Sequence, residues 1–525
     1  MLQIEKHVLG PGRDRFCDPG SGTVGVVHQA LETAARRFPD AVALRAGDAS
    51  WSFGALDAAG ASFSRHLVAW GVRPGERVAV MTTSRPEFVM AVNGISRAGA
   101  AAVLLSPAWK EREVAAAMAL TTPTHAVVDA SSGGLLQSVL GERQVLDLDD
   151  PAALEAALAH ETTPVSAPTG ADAEAVLVFS SGTTGLPKAV RHTRSSLAHA
   201  TRHWITALGL GPDDRFQVAT PPSHILGLLN LLAAAQAGAS VRLHRRFDLE
   251  EVLSCIERER MTLEMAVAPI ALALAEHPAI EQRDLSSLRY WMWCATPVTA
   301  SVAEVVTART GIRWMTAYGA SEVPVLACNP VHCPDDWRLD SVGLPPDGVD
   351  LRVVDLESGQ VLPFGGVGEL QARGPSCMAG YLPDSETGRS FDDGWYRTGD
   401  VGVLEAGGWV RITDRSKEMI KVNGFQVAPA EVESVLLGHR AVQDCAVFGV
   451  PDARSGEVPV AAVSLTPGVG VSPDELQALV ARSLATYKQV REVLVVDAVP
   501  RSPSGKVLRR VLRDEFVGRA GSDPS

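Results

Sequence analysis

The sequence predicts an α/β protein: a large N-terminal domain of parallel α/β subdomains plus a small β-rich unit, followed by a small α+β C-terminal domain. Three observations point there. Short apolar runs alternate with stretches of helical period in the first half of the chain, which implies parallel sheets covered on both faces. From Val342 the texture changes to short strands separated by Gly and Pro turns. After Asp414 a helix, two strands and a second helix follow, the size of a separate unit of about a hundred residues. At 525 residues with 46% hydrophobic content, the chain is too long for one core and has ample material for several.

Between Ser52 and Val72, residues Phe53, Leu56, Phe63, Leu67 and Trp70 fall at helical spacing. "RVAVMTT" reads as a strand, Pro86 to Ala98 as a helix and "AAVLL" as the next strand. Residues 161–174, rich in Pro, Thr and Ala, read as a linker between subdomains. "AVLVF", Ala175 to Phe179, is a strand that runs straight into "SSGTTGLPKAV". The apolar run from Ile225 is interrupted by Asn230 and Gln236 and reads as a buried helix rather than a membrane span. Later strands are "LRVVD", "GELQARG" and "GWVRITD"; the last domain then offers helices over Pro429 to Leu437 and Pro473 to Thr486, with strands at Cys445 to Val450 and Val458 to Leu465. The domains divide near residue 414, as 1–414 and 415–525.

A net charge of −13 gives no basic footprint, which argues against nucleic acid or an anionic membrane as partner. The first ten residues carry acid and base and no apolar core of a signal peptide, so a cytoplasmic setting is expected. Seven Cys without paired metal spacing read as reduced core thiols. Of 48 basic residues, those that are Lys are Lys6, Lys110, Lys188, Lys417, Lys421, Lys488 and Lys506. In a chain that uses Arg almost everywhere, a retained Lys marks places where a compact ammonium serves better than a planar fork.

"SSGTTGLPKAV" has the composition of a loop that handles phosphate, but Pro187 precedes Lys188 and Ala189 follows it, so it is not the P-loop of nucleotide hydrolases. Four further stretches accompany it in order: "TAYGASEVP" from Thr316, "WYRTGDVG" from Trp395, "DRSKEMIKVNGFQVAPAEVE" from Asp414 and "RSPSGKVLRR" from Arg501. Together they resemble the adenylate-forming superfamily of acyl-CoA and aryl-CoA ligases, over nearly the whole chain. The resemblance implies activation of a carboxylic acid with ATP and Mg²⁺ as an acyl-adenylate, then transfer to coenzyme A. An acyl-carrier protein is the alternative acceptor.

By that resemblance Ser180, Ser181, Gly182, Thr183, Thr184, Gly185 and Lys188 hold the β- and γ-phosphates, backbone amides opened by glycine forming an anion nest. Tyr318, flanked by Ala317 and Gly319, matches the adenine platform, Ser321 the hydroxyl near the α-phosphate and Glu322 the Mg²⁺ carboxylate. Asp400 and Arg415 match the ribose and phosphate contacts. Lys506 matches the adenylating lysine of a mobile C-terminal domain that rotates between half-reactions, with Lys417 at the hinge. Lys421 and Gln426 match supports of the second step, Gly424 the wall of the coenzyme A tunnel, and His224 a residue near the reacting carboxylate.

The pattern is broken at "WCATP", Trp293 to Pro297, where the family usually has a Ser-Gly-small-small-Pro adenine shelf containing the equivalents of Ala295, Thr296 and Pro297. Ala317 replaces a usual Gly, and Ser223 a usual aromatic. These departures imply a reshaped acyl pocket lined by Ile225, Leu226, Trp291, Trp293, Ala320 and Val323, suited to a bulky cyclic or aromatic acid. The alternative they raise is weakened adenylation, with thioesters made from preformed acyl-adenylate.

Overall fold

A computed structural model describes residues 27–141, 144–160, 165, 170–180, 188–295, 298, 300–415, 418–422, 425–452, 455–484, 486–501 and 507–520. Two large sheets form its centre. The first has seven strands in the order Gly380–Leu382, Lys188–Thr193, Glu174–Ser180, Ala101–Leu104, Arg77–Met81, His125–Val128 and Val145–Asp147. The last five run parallel, as expected. Lys188–Thr193 turns back antiparallel on Glu174–Ser180, because the connection from 181 to 187 is too short for a parallel crossover.

The second sheet has eight strands, ordered Ala327–Cys328, Trp314–Tyr318, Tyr290–Trp293, Leu263–Met265, Arg215–Val218, Ser240–Leu243, Val42–Ala46 and Ala49–Ser52. Its inner strands are parallel and its two edge strands antiparallel. One continuous core joins the sheets, running from Val78, Val176 and Val190 through Phe63, Ile95, Trp204 and Leu228 to Phe216, Val241 and Met292. The helix expected between Ser52 and Val72 spans Phe53–Trp70. Ser52 caps it by accepting from the Ala55 amide at 3.1 Å, and Gly71 ends it at a φ of 109°.

The apolar helix is Ile225–Ala237, packed in this core. Its fully buried Asn230 is satisfied: its side-chain oxygen accepts from the Trp204 indole at 2.8 Å. Among the described residues no helix is long and apolar enough to cross a membrane.

The β-rich unit is an antiparallel sheet of Asp350–Val354, Val367–Arg373, Trp395–Leu404, Phe391–Asp392 and Val410–Arg415. The chain changes sheet after Arg415. Ile420–Val422, Phe425–Val427, Val442–Asp452, Gly456–Leu465 and Glu492–Val495 form the last sheet, with its own core of Val432, Leu436, Val447, Val463, Leu476 and Val480. The second helix here is Pro473–Ser483, shorter than expected because Leu484 is already extended.

Candidate active site

Ser180 and Lys188 stand opposite each other as the last and first residues of the antiparallel pair, so the loop between them springs from a hairpin. The strand Lys188–Thr193 follows that loop, where a P-loop is followed by a helix. Ser181, Gly182, Thr183, Thr184 and Gly185 lie outside the described residues. Lys188 forms an ion pair with Glu386, and its ammonium lies 5.8 Å from the centre of the Tyr381 ring. Sequence reasoning missed both partners, which come from the strand Gly380–Leu382 and the helix Ser385–Ser390.

The strand Trp314–Tyr318 delivers the next group of residues. Ala317 is buried within it and Tyr318 half-buried at its end. The chain then folds back so tightly that a Cβ at Gly319 would stand 2.1 Å from the Pro324 carbonyl oxygen, which requires glycine there. Ala320 donates its amide to the Val323 carbonyl at 3.0 Å, closing the turn that carries Ser321 and Glu322.

A further buried residue fixes this turn. His192 Nε2 lies 2.7 Å from the Ser321 carbonyl oxygen and Nδ1 3.2 Å from the Ser196 hydroxyl. Burial lowers the His192 pKa to about 4, so the ring is neutral, with Nε2–H donating to Ser321 and Nδ1 accepting from Ser196. Glu322 is buried, and its carboxylate accepts from the Tyr381 hydroxyl at 2.6 Å. Burial, and next the Glu322 charge, push that phenol well above its usual range, so Tyr381 stays a donor. The same two causes push the nearby Cys377 thiol up to about 12.

Asp400, buried on Trp395–Leu404, accepts from the Tyr318 hydroxyl at 2.6 Å. Arg415 is its cross-strand neighbour. An aromatic face, a buried carboxylate beside its hydroxyl, a second buried carboxylate on the adjoining turn and a lysine after a glycine-rich stretch are groups of the kinds that nucleotide sites use.

The AMP-binding enzyme family matches residues 31–382, and the AMP-binding enzyme C-terminal domain matches residues 431–506. A feruloyl-CoA synthase of Amycolatopsis sp is 34% identical over 92% of this chain and 97% of its own. A 4-coumarate–CoA ligase of Nicotiana tabacum is 33% identical over 85% of this chain and 86% of its own. The chain belongs to the AMP-binding enzyme family. An anthranilate CoA ligase solved with anthranoyl-AMP superposes with a TM-score of 0.87 at 27% identity, covering 94% of this chain and 98% of that one. This AMP-binding enzyme is an AMP-forming acid–thiol ligase: it joins a carboxylic acid to coenzyme A through an acyl-adenylate made from ATP.

The structure gathers some of the remaining candidates of this AMP-binding enzyme and parts others. His224 is the exposed N-cap of Ile225–Ala237; its Nδ1 accepts from the Leu226 amide at 3.3 Å, which leaves the proton on Nε2. Ile225 and Val323 are buried in the main core, with Leu226 and Ala320 packed against it. Ala295 is exposed with φ at 65°, a left-handed conformation unusual for a residue with a side chain, at the start of the expected shelf.

Trp291 and Trp293 are placed elsewhere, and the expectation that they line the acyl pocket is corrected. Both are fully buried on the opposite face of Tyr290–Trp293, in a core with Val252, Ile256, Leu274 and Val306. The Trp293 and Trp291 rings pack tilted against Trp314, with ring centres 5.1 and 6.0 Å from its own. Because side chains alternate along a strand, it is Met292 and Cys294 that share the core of Ile225, Ala317 and Val323.

Lys421 and Gln426 are cross-strand neighbours in the hairpin of Ile420–Val422 and Phe425–Val427. Arg501 and Val507 bridge across the segment that carries Lys506. Thr296, Pro297, Lys417, Gly424 and Lys506 lie outside the described residues.

Proposed function

We propose that this ligase activates an aromatic carboxylic acid of the arylpropenoic or benzoic type and transfers it to free coenzyme A. The observation that carries the acid class is that relatives named for ferulate and coumarate align over 92% and 85% of the chain. The anthranilate ligase superposes over 94% of it. Ile225, Val323 and Cys294 belong to the main apolar core and Leu226 and Ala320 pack against it, surroundings that suit a flat ring.

In the first step an acid oxygen bonds to the α-phosphorus of ATP and the bond to pyrophosphate breaks. Two anions must meet, so countercharge and positioning dominate. Tyr318 offers its ring to adenine while its hydroxyl is held by Asp400, whose carboxylate accepts the ribose hydroxyls. His224, with Nε2–H as donor, orients the acid carboxylate. Ser180, Lys188 and the loop between them take the departing phosphates, and Lys506 stabilises charge at the α-phosphate. In the second step the coenzyme A sulfur bonds to the acyl carbon and AMP leaves, with Lys421 and Gln426 supporting that geometry.

Among the described residues no group of three or more His, Cys, Asp or Glu could hold a metal. A single buried carboxylate, Glu322, fits Mg²⁺, which is commonly held by one or two carboxylates and substrate phosphates. When bound, the ion neutralises phosphate charge. Acid-dependent exchange of pyrophosphate into ATP tests the reading. Ferulic, coumaric and anthranilic acids are expected to support exchange far better than long linear acids, and the reverse order would contradict it.

A further inference from the structure

The chain between two strands of the β-rich unit forms the edge of the phosphate-loop sheet, where it meets Lys188 and Arg191, and it reaches Glu322 on the turn after Trp314–Tyr318. Gly380–Leu382 pairs antiparallel with Lys188–Thr193, placing Tyr381 opposite Val190. Tyr381 donates to Glu322, Asp384 accepts from Arg191 at 2.9 Å, and Glu386 closes on Lys188. The Lys188 and Glu386 side chains are only 21% and 17% exposed. Attraction between them is therefore screened less than in a surface pair. The Lys188 hydrogen bond holds the Glu386 carboxyl below its usual range.

We propose that Glu386 is the resident anion of the phosphate site. It holds Lys188 while no nucleotide is bound, yields the ammonium to the β- and γ-phosphates of ATP, and takes it back when pyrophosphate leaves. The inference rests on reading Lys188 as a phosphate ligand.

Two features favour exchange over a fixed bridge. The residue is Lys in a chain that spends most of its 48 basic positions on Arg. An ammonium on a flexible stem changes partners readily, whereas a guanidinium locks onto a carboxylate through two bonds. Glu386 also has a second cation in place: Arg389 Nη1 donates to its other oxygen at 3.1 Å, so the carboxylate is not left bare when Lys188 moves. Glu386 is thus a positioning residue acting through Lys188. It lowers affinity for ligands that carry the β- and γ-phosphates and leaves AMP binding alone.

Calorimetric titration of ATP, pyrophosphate and AMP, with magnesium present, tests this in the wild type and in Glu386→Gln, Glu386→Asp and Lys188→Gln. Glu386→Gln is expected to tighten ATP and pyrophosphate roughly three- to tenfold, the scale of losing one partly shielded competing charge, with AMP unchanged. Glu386→Asp, which restores the charge, is expected to return both toward wild type. Unchanged or weaker ATP binding in Glu386→Gln would overturn the proposal, as would an equal shift for AMP, the mark of a merely structural change. Lys188→Gln separates the two readings. Weakened ATP and pyrophosphate binding supports the phosphate role whatever Glu386 does, and unchanged binding removes that role and the proposal together.

Discussion

Trp293 and Cys294 occupy adjacent positions with opposite duties. Trp293 packs on Trp314 beneath the helix Ala300–Thr310, whose Val306 is part of the same core. Trp293→Ala is expected to cost about 3–5 kcal/mol of stability, as for other large aromatic truncations. At a temperature where it remains folded, its order of preference among acids should match wild type. Cys294 lies on the other face, buried, and burial pushes its thiol up to about 12, which makes it a poor nucleophile; the proposed function places it beside the acyl site. Cys294→Gly is expected to enlarge the acyl site and shift kcat/KM toward bulkier aromatic acids. Selectivity that moves with Trp293 and not with Cys294 would reverse the assignment.

The tryptophan misplacement has its cause at the scale of the element. Tyr290–Trp293 reads YWMW and is buried at every position, so no apolar–polar alternation in the sequence tells one face from the other. The helix Phe53–Trp70 was legible because its apolar residues follow a single period and its cap and stop are local. The neighbouring strand Leu263–Met265 carries its own anomaly. Glu264 sits opposite Trp291, and among the described residues neither its Oε2 nor the Trp291 indole nitrogen has a hydrogen-bond partner. Burial raises the Glu264 pKa well above 4.5, so the folded state keeps a proton that the unfolded chain gives up. The contribution of this carboxyl to stability therefore falls as pH rises from 4.5 toward the folded-state pKa. Glu264→Gln, neutral at every pH, is expected to show a melting temperature that exceeds wild type by a larger margin at neutral pH than near pH 5. A margin that does not change with pH would show that Glu264 is charged in the fold.

Across the whole molecule, His28, His192 and His203 are each held at a pKa of about 4 by burial, against 6.5 for a free side chain. The unfolded chain binds protons at these positions that the folded protein refuses. The contribution of these rings to stability is therefore complete above pH 6.5 and is lost as pH falls toward 4, at about 1.4 kcal/mol per pH unit for each ring fully protonated in the unfolded chain, opposite in sign to that of Glu264. Chemical denaturation of Glu264→Gln, which removes that opposing carboxyl, is expected to show this loss between pH 7 and 5, and a flat profile would contradict the burial of the rings.

The same scale explains what else the sequence concealed. Ser180, Lys188, Tyr318, Glu322 and Asp400 stood out in recognisable strings. Tyr381 and Glu386 did not, because they act 59 and 198 positions away from the residues they hold and lie in a stretch with no chemistry of its own. His192 likewise looks like an ordinary strand residue until the turn at Ser321 folds onto it.

Under the proposed function one site both makes the acyl-adenylate and forms the thioester of an aromatic acid. The most direct test is the stoichiometry of pyrophosphate release and thioester formation in one reaction containing ATP, Mg²⁺, coenzyme A and ferulic or coumaric acid. Equal amounts of the two products, abolished together in Lys506→Ala, are the predicted result. Thioester formed from added acyl-adenylate but not from ATP and the free acid would contradict it.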